Sequence, residues 1–538
     1  LLCCKDQEIQ GTGRGNRVPT RMRRGAVAAP HAAQLAGSAS GTSILATEQV
    51  HPSGFKHEIP RQSLTQTAKK QENAPLCRTL QPMNREALLN WIETHTEEMI
   101  ADFQRLLRAE SVRDDATAQP NAPFGRGVRE ALDVVLELGE RFGLRPRDFA
   151  GYACDLEYGD GKEMVASLSH IDVVPAGNNW TKPPFGAVIE DGYIYARGAT
   201  DNKGATLTTI YALRALKELG VPLKRRVRLI IGCDEESRWE CMQYYLAHEP
   251  ERPVWGVSPD AGWPFIYGEK GIANLFLEKE VPPTDGVRVV WARGGERHNM
   301  VPDRAEALIN MALKPPHESE GVHWEADPAG WRAVAVGKSA HGSHPEGGIN
   351  AVARLLKAIQ PLNLPDNEHW LDTVLEWAES LDGSALGIAH SDEVSGALTS
   401  NLGVFEYDGN RVRCVFNIRY PVTWNLDALK ERLQPVLERT GFTLADVRHT
   451  PPLYVPPDTP FLQTILRVYR EETGDTESQP QTMGGGTYAR TMPNLVAIGA
   501  AMEGDGTAHE ADERIAIQSL KTLVRLYARI FEELANLD

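Results

Sequence analysis

Ser169-His170-Ile171-Asp172, after the apolar run Val165–Leu168, and Asp234-Glu235-Glu236, after Leu229-Ile230-Ile231-Gly232-Cys233, decide how this chain folds. Both runs are short and mostly apolar, as strands buried on both faces are. Both release imidazole or carboxylate groups where they end. Working outward, Ala199-Thr200-Asp201-Asn202-Lys203-Gly204 precedes a helical pattern over Ala205–Leu219, and Ser258-Pro259-Asp260 follows the strand-like Val254–Val257. Ala508-His509-Glu510 comes after the apolar Leu495–Ile498 and a Gly-rich loop. An open α/β sheet binds ligands in the crevice outside the carboxyl ends of its strands. Two His and several carboxylates gathered there make an N/O donor set suited to two divalent cations.

Taken singly, each element has an ordinary explanation. Asp201 before a helix is most simply an N-cap, the acids 234–236 a solvated loop, and His509 a packed or surface imidazole. Their shared position at strand ends, in order, favours ligation. His170 and Asp172 are two apart on a strand and point to one side, so Asp172 is placed to hold the second nitrogen of a ligating His170. Of Glu235 and Glu236, one can ligate while the other takes a proton from an attacking water.

With 538 residues, 41% apolar and 24% charged, the chain has the composition of a globular protein with room for two to four domains. Its net charge of −16 is uneven: residues 1–82 hold 11 Lys/Arg against 5 Asp/Glu, a surplus of +6, which leaves −22 on the rest. So acidic a body argues against nucleic acid as a partner, since phosphate-backbone binding needs clustered Lys/Arg. The seven cysteines (Cys3, Cys4, Cys77, Cys154, Cys233, Cys241 and Cys414) form no CxxC pair, which suits a reducing cytoplasm. No apolar stretch approaches the ~20 residues that span a bilayer, so no membrane partner is expected.

Residues 1–82 lack lasting apolar periodicity and are expected to be a disordered tail, or an extension ahead of a true initiator at Met83. Helical spacing begins with Leu88, Trp91, Ile92, Met99 and Phe103 and returns over Gly127–Phe142. Near Gly271 the pattern changes. Strands are predicted at Asn274–Glu278, Arg288–Ala292, Trp331–Gly337 and Val412–Tyr420, with helices at Ile349–Ile359 and Leu426–Arg439. That order suggests an α+β, ferredoxin-like insert. The expectation is an α/β catalytic domain (83–272 and 441–538) interrupted by a lid (273–440).

Several stretches in this order closely resemble the M20 metallopeptidase family, and within it the PepV-type, carnosinase-like dipeptidases. They are Ser169–Pro175, Pro183-Pro184-Phe185-Gly186, Ile194–Gly198, Asp201-Asn202-Lys203-Gly204, Gly232–Ser237, Pro259-Asp260, Glu269-Lys270-Gly271 and Gly484–Arg490. The resemblance runs from about Met83 to the C-terminus. It implies that the catalytic domain is zinc-exopeptidase-like and holds two Zn2+, with Mn2+ or Co2+ as alternatives. One cation is held by His170, Asp201 and Asp260, the other by Asp201, Glu236 and His509. Asp201 bridges them, Glu235 is general base to a metal-bridging water, and Asp172 orients His170.

For the lid, the resemblance implies that His341, in Gly337-Lys338-Ser339-Ala340-His341-Gly342, polarises the substrate carbonyl, and that Arg419 clamps a terminal carboxylate. Asn299 and Gly485 are further substrate contacts, and His344 is a spare. The expected activity is hydrolysis of dipeptides bearing a free C-terminal carboxylate, by a monomer or homodimer. The alternatives are an N-acyl-amino-acid deacylase of the acetylornithine or succinyl-diaminopimelate type, and a catalytically dead metal-binding protein. Retention of Glu235 with all five ligands argues against the last.

Overall fold

The computed structural model describes residues 83–315, 319–364 and 369–538; the expectation for residues 1–82 lies outside them. The fold is carried by two large sheets. In the first, strands lie side by side in the order Arg145–Phe149, Ala153–Tyr158, Arg226–Gly232, Met164–His170, Gly256–Ala261, Leu495–Gly499, Ile266–Glu269 and Leu453–Tyr454, with Gln481–Met483 paired beside Ile266–Glu269. The four in the middle are parallel. Met164–His170 is buried at every position, which is why its first five residues are small or apolar and do not alternate with charged ones. Helices Arg85–Arg108, Arg126–Arg141, Lys203–Glu218, Pro460–Thr473 and Ile517–Asn536 share one hydrophobic core with these strands.

Parallel register is what gathers the motifs. His170 lies opposite Gly232, three residues before Glu235. Ile498 lies opposite Pro259, beside Asp260. Segments far apart in sequence therefore leave the sheet at one edge, and their polar residues follow at that edge.

The second sheet is antiparallel throughout, in the order Val322–Asp327, Gly330–Val336, Arg304–Ile309, Val289–Gly294, Thr399–Tyr407, Arg411–Tyr420, Gly271–Glu280 and Thr443–Thr450. Helices Ala351–Ile359, Trp370–Glu379 and Leu426–Thr440 join it in a separate core. Charged side chains pair across its strands, as in Arg332–Glu325, Arg332–Glu306 and Arg413–Glu406. Among the described residues this sheet thus holds eight strands, more than the alternation predicts, and Ser391–Asp392 pairs with Gly396–Ala397 apart from it. Thr443–Thr450, mostly exposed, pairs with Gly271–Glu280, so this sheet extends ten residues past residue 440.

Candidate metal centre

His170 ends its strand fully buried. Asp201 lies in the turn before helix Lys203–Glu218, yet it is not the cap: Asn202 holds that position and makes no side-chain capping bond. The Asp201 carboxylate is divided instead. Its Oδ1 is 3.0 Å from His170 Nε2 and its Oδ2 is 3.1 Å from His509 Nε2. Asp260 Oδ1 stands 3.7 Å from His170 Nε2, and Glu236 Oε1 is 2.8 Å from His509 Nε2. Two groups result, His170–Asp201–Asp260 and Asp201–Glu236–His509, each offering ligand atoms within 4.8 Å of one another. Asp201 is common to both.

The donors fit divalent cations. His170 Nε2 and Asp201 Oδ1 are buried and 3.0 Å apart, but neither has a hydrogen-bond partner, so both point at a shared space and not at each other. Unpaired buried polar atoms are costly and rare in a native protein. The cluster also places five carboxylates (Asp172, Asp201, Glu235, Glu236 and Asp260) around two imidazoles, an excess of negative charge that two dications would largely offset. Without cations, protons take their place. Burial opposes a charge on His170, but Asp260 and the neighbouring carboxylates hold its pKa well above the usual histidine value. Asp201 and Glu236 raise His509 to about 10. Burial pushes Glu236 up to about 7. Burial, with the charges of Asp260, Glu236 and Asp172, lifts Glu235 well above the carboxylate range.

His170 Nδ1 lies 2.9 Å from the Asp172 main-chain carbonyl, against 3.5 Å from the Asp172 Oδ1. The Asp172 carboxylate has another use. Its Oδ1 accepts the Glu235 amide and its Oδ2 the Glu236 amide, both at 3.0 Å. One buried carboxylate thus fixes the backbone of two neighbouring glutamates. Trp239 Nε1 secures the same turn by donating to the Glu235 carbonyl at 2.7 Å.

His341 lies in the turn after strand Gly330–Val336 and Arg419 near the end of strand Arg411–Tyr420, and the charges of both Arg419 and His509 act on His341. His341 Nδ1 accepts the Ser343 amide at 3.3 Å and lies 2.6 Å from Ser343 Oγ. An acceptor at Nδ1 leaves the proton of a neutral ring on Nε2. Burial, then the charges of Arg419, His344 and His509, lowers its pKa to about 4, so the ring is neutral at pH 7. Arg419 is buried; its Nε donates to Asn417 Oδ1 at 2.9 Å and its Nη1 to the Gly484 carbonyl at 2.8 Å. Its Nη2 has no protein partner among the described residues. The Asn299 carbonyl accepts the Gly342 amide at 2.7 Å, bracing the His341 turn. The Gly485 carbonyl accepts Arg490 Nη2 at 2.6 Å.

A family model described as Peptidase family M20/M25/M40 matches residues 166–533. The chain belongs to this family. It is 37% identical over 471 residues to "Putative dipeptidase YtjP" of Bacillus subtilis (strain 168), a match covering 83% of this chain and 100% of that protein. Human carnosine dipeptidase 1 shares its fold at 19% identity and a TM-score of 0.50, over 84% of this chain and 100% of that one. A di-peptidase from Saccharomyces cerevisiae does so at 12% identity and a TM-score of 0.53, over 84% and 98%. The protein is a metal-dependent hydrolase with the M20 division into a catalytic part and a smaller lid.

Some residues that shape this M20 site escape a search for ligand types. Asn202 Nδ2 donates to Asp260 Oδ1 at 2.9 Å and to the Pro259 carbonyl at 2.7 Å, aiming one ligand from the loop of another. Glu269, fully buried, accepts Arg490 Nε at 2.5 Å and Thr487 Oγ1 at 2.8 Å, tying Glu269-Lys270-Gly271 to Gly484–Arg490. Both stretches stand out in the sequence; their pairing does not.

Proposed function

We propose that this enzyme hydrolyses dipeptides that carry a free C-terminal carboxylate. The observation that carries the reading is the divided Asp201 carboxylate, one oxygen turned to His170 and the other to His509. In this proposal His170, Asp201 and Asp260 hold one cation, and Asp201, Glu236 and His509 the other. Zn2+ suits the donors, with Mn2+ or Co2+ as alternatives. Bound there, such cations supply Lewis acidity, lowering the pKa of water towards ~7 and polarising a carbonyl.

The remaining chemistry belongs to side chains. Glu235, which does not ligate, accepts the proton of the attacking water and delivers it to the leaving amine. The neutral His341 donates Nε2–H to the oxygen on which negative charge develops. Arg419, with Nη2 unengaged, takes the substrate's carboxylate. Asn299 and Gly485 support the substrate from the His341 turn and the glycine loop. A fixed span between Arg419 and the metal centre then selects one residue beyond the scissile bond.

In this proposal the lid is the insert 273–440 between catalytic portions 83–272 and 441–538, with strand Thr443–Thr450 added to its sheet. It closes over its own chain, a reading supported by Arg419 Nη1 on the Gly484 carbonyl at 2.8 Å and Thr482 Oγ1 on the Val394 carbonyl at 3.3 Å. The assembly proposed is a monomer or a homodimer, and these contacts favour the monomer. No described helix is long and apolar enough to cross a membrane. Cys154, Cys233, Cys241 and Cys414 are buried free thiols, in keeping with the cytoplasm. A hydrolysis screen of dipeptides, their C-terminal amides, a tripeptide and N-acetyl or N-succinyl amino acids tests the proposal. Fast cleavage of free dipeptides alone supports it. Cleavage of the N-acyl amino acids with dipeptides untouched makes the protein a deacylase.

A further inference from the structure

Beneath the metal centre lies an ion pair that the proposed reaction does not use. Glu513 and Arg197 are both fully buried, with Arg197 Nη1 2.8 Å from Glu513 Oε2. The same carboxylate is a complete acceptor. Oε2 also takes the Gly198 amide at 3.0 Å. Oε1 takes the Thr200 amide at 2.8 Å, the Thr200 hydroxyl at 3.0 Å and the Asp201 amide at 3.1 Å. Five donors thus converge on one side chain, and four of them belong to the turn that presents Asp201.

Glu513 lies four residues after His509 in the same loop. His509 has φ +64° and Asp512 φ +58°, the left-handed region that non-glycine residues rarely occupy unless neighbours enforce it. The enforcing contacts are visible. Arg197 Nη1 also donates to the Glu510 carbonyl at 3.1 Å, and Asp512 accepts the Thr181 amide at 2.8 Å and the Thr181 hydroxyl at 2.9 Å. Arg197 Nη2 reaches the Ala176 carbonyl at 3.1 Å, on the segment that follows His170.

We propose that Glu513, through its bonds to Arg197 and the 198–201 amides, is the positioning residue that sets His509 against Asp201 and so fixes the second cation position. It touches neither cation nor substrate. The inference rests on the dinuclear reading above. Two of the three ligands in the Asp201–Glu236–His509 group depend on the anchor, against one of three in His170–Asp201–Asp260. Its loss therefore falls mainly on the second cation.

Zn2+ binding to metal-free wild-type protein and Glu513→Gln, followed by chelator competition, tests this. The amide of Gln keeps the shape but turns an NH2 towards donors on one side. The second equivalent of Zn2+ is expected to bind about 10- to 100-fold more weakly, the usual cost of losing a partner behind a ligand, with the first much less affected. Excess Zn2+ should restore the second equivalent. Unchanged binding of both equivalents would overturn the proposal. So would equal weakening of both alongside a lower Tm of the metal-free protein, the mark of a merely structural pair. If Glu513→Gln does not fold, Thr200→Val decides: it removes only the hydroxyl bond and should weaken the second equivalent a few-fold at unchanged metal-free Tm, and no change would refute the anchor. A wild type that binds no second equivalent would sink the dinuclear reading itself, and the anchor with it.

Discussion

Replacing Asp172 by Asn separates two accounts of a buried carboxylate beside a metal-ligating histidine. In the native site the two oxygens of Asp172 each accept one amide, from Glu235 and Glu236, at 3.0 Å. Asn offers one oxygen, and its NH2 must face the other N–H. One bond to a charged acceptor is lost, worth about 1.5–3 kcal/mol, and a buried donor is left without a partner. At ~1.4 kcal/mol per decade, the fraction of molecules holding the 235–236 turn in place falls roughly 10- to 150-fold. Turnover should fall by about as much, because the base is displaced by a misplaced backbone. The bond from His170 Nδ1 to the Asp172 carbonyl uses the main chain and should persist. The assay is kcat on a dipeptide at saturating metal, with a crystal structure of the variant. A kcat within about threefold of wild type would refute the reasoning, as would a rotated His170 ring over an unmoved 235–236 backbone.

Glu235→Gln should retain both cations while kcat drops roughly 10²–10⁴-fold, the range for loss of a general base; metal analysis beside kinetics checks it, and loss of metal would mean that Glu235 is a ligand. Arg419→Ala should lower kcat/KM for free dipeptides by about 10- to 150-fold, one charge-assisted bond, while C-terminal amides, poor substrates from the start, change little. Equal hydrolysis of a dipeptide and its amide by the wild type would contradict the clamp. Cation affinity should rise with pH: Asp201 and Glu236 hold the His509 pKa at about 10, above its ordinary value, so below that pH a cation must displace a proton from it. The affinity should climb by about tenfold per unit from pH 7 towards 10, with proton release visible by calorimetry in buffers of different ionisation enthalpy; affinity flat over this interval would oppose it.

The catalytic sheet is legible in the sequence because its middle strands are buried on both faces and helices cover them. Val165–Leu168 and Val227–Ile231 are mostly apolar runs, interrupted only by the buried Ser167 and Arg228, and the parallel register then carries their polar successors to one edge. Edge strands escape for the opposite reason. Arg145–Phe149 and Thr443–Thr450 are largely exposed and charged, so neither alternation nor apolar content marks them. Among site residues, the five ligand types are recognisable by their order along the chain. The Asp172 carboxylate on two amides, Asn202 behind Asp260 and Glu513 behind Asp201 are not, since each depends on a long-range hydrogen bond that no local spacing encodes.

The central claim is that two cations share Asp201, and the most direct measurement is metal content against turnover in the wild-type protein. Chelated protein, titrated with Zn2+, Mn2+ or Co2+ in turn, should be inactive at the outset and reach full dipeptide hydrolysis as bound metal approaches two equivalents per chain. Full turnover by metal-free protein, or a titration that saturates at a single equivalent, would contradict the account.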